Sequence, residues 1–208
     1  MIRDAAIYRL CLVTDRRLAP ARRALADIVA AAVRGGVTMV QLREKEATTR
    51  DFLDAARALK ALLAPLRIPL IVNDRIDIAL AVDADGVHVG QSDMPVREVR
   101  ALIGAEKIVG LSIAGAAQIR RPDVALSDYL GIGPVFAQTT KGNASQPLGI
   151  AGFAALRALA PAGVPVMAIG GVKAIHAAAL RAAGADGLAV VSAIMASADP
   201  EAAALGFG

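Results

Sequence analysis

Short, continuously apolar runs recur along this chain, and Ala-rich amphipathic stretches separate most of them. The candidate strands, most of them continuously apolar over four to six residues, are Arg9–Val13, Met39–Arg43, Ile68–Val72, Gly86–Val89, Lys107–Leu111, Tyr129–Gly133, Val164–Ile169 and Gly187–Val191. Apolar runs this short read as strands covered on both faces, the situation of a parallel sheet packed under helices. Helices are expected at Pro20–Arg34, Thr49–Ala64, Met94–Ile103, Ile150–Ala160 and Ala174–Ala183. Eight such βα units within 208 residues, with no composition shift to mark a linker, predict one α/β domain over residues 1–208, a (β/α)₈ TIM barrel. A doubly wound open sheet is the alternative, but no strand runs into the Gly-x-Gly-x-x-Gly fingerprint. Beyond the eighth strand, Asp199–Gly208 leaves room for a shortened final helix or a tail that frays after Leu205.

Arg34-Gly35-Gly36-Val37, Val82-Asp83-Ala84-Asp85-Gly86-Val87 and Ala183-Gly184-Ala185-Asp186-Gly187-Leu188 each close a helix and open a strand. Gly suits a left-handed helix cap, and Ala-Asp makes a short turn, so these echoes are scaffold. Hydrophobic residues are 56% of the chain and aromatics only 3%, so the core must be built from Ala, Val, Ile and Leu. A charged fraction of 20%, evenly spread, argues against a disordered chain, and no uncharged apolar run is long enough to span a bilayer. Met1-Ile2-Arg3-Asp4 does not read as a signal peptide, so a cytoplasmic location is expected. The net charge of +4 comes without a Lys/Arg cluster interleaved with aromatics, which disfavours nucleic acid and suits anionic small molecules. Cys11 lies within Leu10-Cys11-Leu12-Val13 and reads as a buried structural thiol.

Active sites of such barrels gather where the strands end, so the residues that follow each run are the candidates. After the second run, strand alternation puts Gln41, Arg43 and Lys45 on one face and Leu42 on the other. Inside the barrel mouth these polar groups would grip an anion; outside it they would be a surface cluster. Asn73-Asp74 follows the third run and Gly90-Gln91-Ser92-Asp93 the fourth. Adjacent parallel strands would bring Asp74 and Asp93 together, and two such carboxylates call for a proton, a cation or separation. With oxygen-rich neighbours the suitable cation is Mg²⁺ shared with a diphosphate, while Asp74 could also cap the next helix. His88, in mid-strand, reads as a hydrogen-bonded pore histidine rather than a metal ligand. Ser112 ends the fifth run, either to cap a helix or to donate to a phosphate oxygen. Gln138-Thr139-Thr140-Lys141, after the sixth run, supplies hydroxyls and an ammonium to a loop that could clamp diphosphate. Gly170-Gly171 and Val191-Ser192 follow the last two runs, where barrels commonly bind a phosphate through backbone N–H groups.

Together, Val13-Thr14-Asp15, Gln41-Leu42-Arg43-Glu44-Lys45, Asn73-Asp74, Gly86–Asp93, Gly131–Lys141, Ala168–Gly171 and Ala189–Ala193 resemble the thiamine phosphate synthase family, in order and from about Leu10 to Ile194. The resemblance implies a Mg²⁺-dependent transferase that joins hydroxymethylpyrimidine diphosphate to thiazole phosphate, releasing diphosphate. It implies that Gln41, Arg43, Lys45 and Asn73 hold the pyrimidine diphosphate, and that Asp74 and Asp93 hold Mg²⁺. Ser112 and Lys141 would contact diphosphate, with Arg43, Ser112 and Lys141 as the catalytic groups. Gly171, Val191 and Ser192 would receive the thiazole phosphate, helped by Gln138, Thr139 and Thr140. Partners are then small molecules, without nucleic acid or membrane, and a homo-oligomer stays open. Two departures stand out. Gln138 replaces the first Thr of Thr-x-Thr-Lys, and Ile113-Ala114 lacks the polar residue that often follows Ser112. A thiazole tautomerase and a non-catalytic regulator are the rivals, while a sugar-phosphate epimerase would want an acid–base pair that the pore does not offer.

Overall fold

Residues of alternating destination build the eight strands: β1 (Leu10–Val13), β2 (Met39–Leu42), β3 (Leu70–Asn73), β4 (Gly86–Val89), β5 (Ile108–Ile113), β6 (Tyr129–Ile132), β7 (Val166–Ile169) and β8 (Gly187–Val190). The computed structural model describes residues 4–21, 23–137 and 146–208. Each strand pairs in parallel with its successor, and β8 closes on β1. The closed ring excludes the open doubly wound sheet. Strand ends differ by a residue or two from the apolar runs, as where β5 continues to Ile113.

One face of every strand looks outward. Leu12, Val40, Leu42, Val72, Val87, Val109, Leu130 and Leu188 join a large apolar layer with Ile28, Leu59, Val99, Phe153 and Leu180 from the helices. The other face fills the barrel with Cys11, Val13, Met39, Ile71, Ile108, Tyr129, Met167 and Ala189, joined by Tyr8 from below β1. Each large apolar side chain taken from water contributes roughly 1.5–3 kcal/mol, so the outer layer carries most of the hydrophobic stabilisation. Cys11 is fully buried, and burial pushes its thiol up to about 12, which makes it the inert packing residue expected.

The helices are α1 (Leu25–Arg34), α2 (Thr49–Leu63), α3 (Ile76–Ala81), α4 (Val96–Ile103), α5 (Ala116–Ile119), α6 (Gly149–Arg157), α7 (Ala177–Ala182), α8 (Ser192–Met195) and α9 (Pro200–Leu205). α1 starts at Leu25 rather than Pro20, because Ala24 is extended and Arg16–Leu18 forms a separate 3₁₀ turn. α9 is short, as foreseen, but the tail does not fray. Asp199 caps α9 through the Ala202 N–H, Phe207 is buried, and Arg181 bonds the Phe207 carbonyl. None of the described helices is long and apolar enough to cross a membrane.

The residue just before each even-numbered strand grips the start of the strand before it. Thr38 Oγ1 accepts from the Leu10 N–H, Asp85 from Leu70, Asp128 from Val109 and Asp186 from Val166. The three aspartates also pair with helix cations Lys60, Arg100 and Arg157. The Ala-Asp echoes are therefore scaffold, as their sequence suggested. Asp128→Ala would strand the Val109 N–H and remove the carboxylate partner of Arg100, costing about 1–2 kcal/mol, or roughly 3–6 °C in Tm. Thermal unfolding checks this, and Asp128→Asn, which keeps an acceptor, should lose less.

Candidate active site

The strands end at a cavity of about 370 Å³. Gln41, Arg43 and Lys45 reach it from β2 and its following loop, Asn73 and Asp74 from β3, His88 and Asp93 from β4, and Ser112 from β5. Gly131, Gly133 and Pro134 line it after β6, and Ile169, Gly170 and Val191 from β7 and β8. Leu42 faces the outer layer, so the parity read from Gln41-Leu42-Arg43 holds.

Thr14, at the end of β1, anchors the loop that carries Arg43. Its buried hydroxyl accepts from the Arg43 N–H (3.0 Å) and donates to Glu44 Oε1 (3.1 Å). Next to it, Asp15 receives a two-point contact from Arg17, with Nε to Oδ1 at 2.9 Å and Nη2 to Oδ2 at 2.8 Å. The Arg17 guanidinium holds the Asp15 carboxyl below its ordinary value. A carboxyl depressed in the folded state adds stability above its unfolded value, and that stability is lost as pH falls through the folded value. Asp15→Asn should therefore lower Tm at neutral pH, with the gap to the parent closing below about pH 4. Tm measured between pH 3 and 8 reads the effect.

Asp74 has φ of 61°, in the left-handed region that aspartate tolerates better than most side chains. The chain turns there, but Asp74 does not cap α3: Arg75 stands at that position and no side chain caps the helix. Instead its carboxylate bonds Lys45 and lies within hydrogen-bond reach of Asp93. Burial raises the Asp74 carboxyl; Lys45 opposes this, Asp93 adds to it, and the net direction is up. Asp93 also accepts from the Gly90 N–H at 2.7 Å, which folds the loop after β4 back on itself. Among the described residues no cluster of three or more His, Cys, Asp and Glu forms. A pair nonetheless fits Mg²⁺, which is held by one or two carboxylates while substrate phosphates complete its shell.

Ser112 does not cap a helix. Its Oγ lies 2.8 Å from His88 Nε2, and its carbonyl accepts from Gln91 Nε2 at 2.7 Å. Gln91 is in turn fixed by Arg121, and Gln118 accepts from the Ala114 N–H at 2.6 Å. Sequence reasoning placed Gln91 in the loop after β4 without giving it a role, and it missed Gln118. Gln118, on α5, is a polar side chain that reaches the cavity beside Ile113-Ala114.

Gly170 and Gly171 have φ of 95° and 65°. A Cβ on Gly170 would lie 2.6 Å from Pro134 Cα, and one on Gly171 2.5 Å from the Ala137 carbonyl oxygen. The glycines are needed because the segment after β6 packs onto β7, a reason beyond the approach of an oxyanion. Gly171 and Ser192 do not line the cavity; each adjoins a residue that does, Gly170 and Val191. Gln138, Thr139, Thr140 and Lys141 lie outside the described residues.

Residues 10–194 match the model of the family described as "Thiamine monophosphate synthase". The chain belongs to the thiamine monophosphate synthase family. It is 53% identical over 197 residues to a thiamine-phosphate synthase of Albidiferax ferrireducens, covering 95% of this chain and 89% of the relative. To the thiamine-phosphate synthase of Xanthobacter autotrophicus it is 52% identical, covering 94% and 91%. The solved thiamine phosphate pyrophosphorylase from Pyrococcus furiosus superimposes with a TM-score of 0.86 at 33% identity, covering 98% of this chain and 95% of that one. The family places the chain among the transferases of thiamine biosynthesis.

Proposed function

We propose that the chain, as a single barrel domain, binds hydroxymethylpyrimidine diphosphate across β2–β5 and thiazole phosphate against β7–β8, and joins them into thiamine phosphate. The observation that carries this reading is the row Arg43, Lys45, Asp74 and Asp93, which share one cavity with Gly170 and Val191. Asp74 and Asp93 would hold Mg²⁺, which when bound neutralises charge on the departing diphosphate.

The side chains supply the rest. Arg43 offers a planar fork to phosphate oxygens, and Lys45 and Lys141 offer point charges. Ser112 donates its hydroxyl to the same group. Lys45 bonds Asp74 and would exchange that partner for diphosphate as the substrate enters. Gln41 and Asn73 orient the pyrimidine ring by amide hydrogen bonds. An electron-rich aminopyrimidine stabilises the cation left by a departing diphosphate, so the thiazole nitrogen needs positioning rather than a base. Gly171, Val191 and Ser192, with Gln138, Thr139 and Thr140, would seat the thiazole phosphate. The displacement is dissociative and leaves no covalent enzyme intermediate; a pyrimidine-labelled side chain trapped during turnover would contradict it. The pathway's small-molecule substrates are those expected in the cytoplasm.

Purified protein mixed with both substrates should form thiamine phosphate with Mg²⁺ and far less after chelation. If no metal condition yields product, a regulator that only binds these ligands becomes the better description.

A further inference from the structure

Beneath the cavity, a row of polar side chains runs through the otherwise apolar barrel. Tyr129 is buried at 1% exposure, and its hydroxyl lies 2.9 Å from His88 Nδ1. The opposite ring nitrogen, Nε2, lies 2.8 Å from Ser112 Oγ at the cavity. From the other side the Gln41 side chain approaches the phenol and opposes the rise that burial causes. The contact has been given room: a Cβ on Gly110 would lie 2.2 Å from Tyr129 Cζ and 2.4 Å from His88 Nδ1. Any larger residue there would push the two rings apart.

We infer that His88 is a positioning residue that turns the Ser112 hydroxyl proton toward the anionic group of the substrate. A neutral imidazole donates through one nitrogen and accepts through the other, so the partner of Nδ1 decides what Nε2 does. Burial drives the Tyr129 hydroxyl well above its usual range, so it keeps its proton. His88 Nδ1, 2.9 Å from the phenol oxygen, is placed to accept that proton. Nε2 then carries the ring hydrogen and donates to Ser112 Oγ. A serine oxygen that accepts from His88 directs its own hydrogen into the cavity, where a diphosphate oxygen can take it. In the opposite tautomer Nε2 would draw the serine proton inward, and Ser112 would meet the anion with lone pairs. The buried phenol hydrogen would also have to find another acceptor, an arrangement that buried polar groups avoid.

This inference rests on the proposed placement of diphosphate at Ser112, yet the tautomer can be measured without any substrate. The chain has two histidines, His88 and His176, so a His176→Asn variant leaves one imidazole to assign. Its ¹⁵N imidazole spectrum in the full chain should show hydrogen on Nε2 and a bare Nδ1. Hydrogen on Nδ1, alone or beside Nε2, overturns the inference whatever the enzyme's activity.

Kinetics supply the second arm. Tyr129→Phe removes one oxygen and keeps the ring, so packing is preserved. It should lower kcat by about five- to tenfold with KM for thiazole phosphate unchanged. In a Ser112→Ala background the same change should alter kcat by less than about twofold, because it acts through the serine. Equal losses in both backgrounds would make Tyr129 and His88 merely structural and overturn the inference. Absence of product in the parent enzyme would instead sink the proposed function and leave the tautomer result standing.

Discussion

Asp93→Asn should lower turnover by about two to three orders of magnitude while leaving the affinity for thiazole phosphate within about twofold of the parent. The asparagine keeps an oxygen for the Gly90 N–H, which Asp93 bonds at 2.7 Å, so the loop after β4 stays folded. What disappears is one of the two carboxyl groups that meet at the cavity mouth. Asp74 already carries a raised carboxyl through burial, and with Asp93 neutral it relaxes toward its ordinary value. In the proposed metal site the pair would then attract a divalent cation less strongly. Steady-state rates against pyrimidine diphosphate, set beside calorimetric titration with thiazole phosphate, separate the two ligands. Equal loss of both would mean that Asp93 serves the fold.

Lys45→Met acts on the same carboxylate from the opposite direction. The ammonium bonds Asp74 and opposes the upward push of burial and of Asp93. Without it the Asp74 carboxyl rises further, and a proton competes more strongly for the place of the cation. The acid limb of the pH–rate profile should therefore move to higher pH. KM for pyrimidine diphosphate should rise by about ten- to a hundredfold, and part of the activity should return as Mg²⁺ is raised. An unmoved acid limb would show that Lys45 is too loosely tied to Asp74 to set its protonation.

Why the barrel could be read so directly lies in the parity of its strands. Leu10, Leu12, Val40 and Leu42 look out while Cys11, Val13, Met39 and Gln41 look in, so short apolar runs report burial on both faces. The same parity put Gln41, Arg43 and Lys45 on one side, and strand ends then led to Asn73, Asp74, Asp93, Ser112 and Val191 at one cavity. Their roles there are the proposal. Contacts made by tertiary approach left no local trace. Gln118 sits on α5, a helix of four residues with no apolar stripe to announce it, and α3 has six. The crowding of Gly170 and Gly171 comes from Pro134–Ala137, more than thirty positions earlier, which no spacing rule encodes. A helix cap is the second reading of Asp74 in the sequence, open because Asp before an apolar run often caps; no side chain caps α3, and the Asp74 carboxylate pairs with Lys45 instead.

The grips of Thr38, Asp85, Asp128 and Asp186 give the ring a period of two strands rather than one. Each ties an odd strand to the even strand after it, and no equivalent side-chain tie is described from an even strand to the next odd one. The barrel is in this sense four quarter-turn modules, β1–β2, β3–β4, β5–β6 and β7–β8, joined by backbone ladders. New chain ends opened between modules, before β3, β5 or β7, would leave all four ties within continuous chain. Ends opened inside a module would oblige its tie to form across a break. The seams along which such a barrel could be shuffled, duplicated or split are thus written at its floor, on the side away from the chemistry.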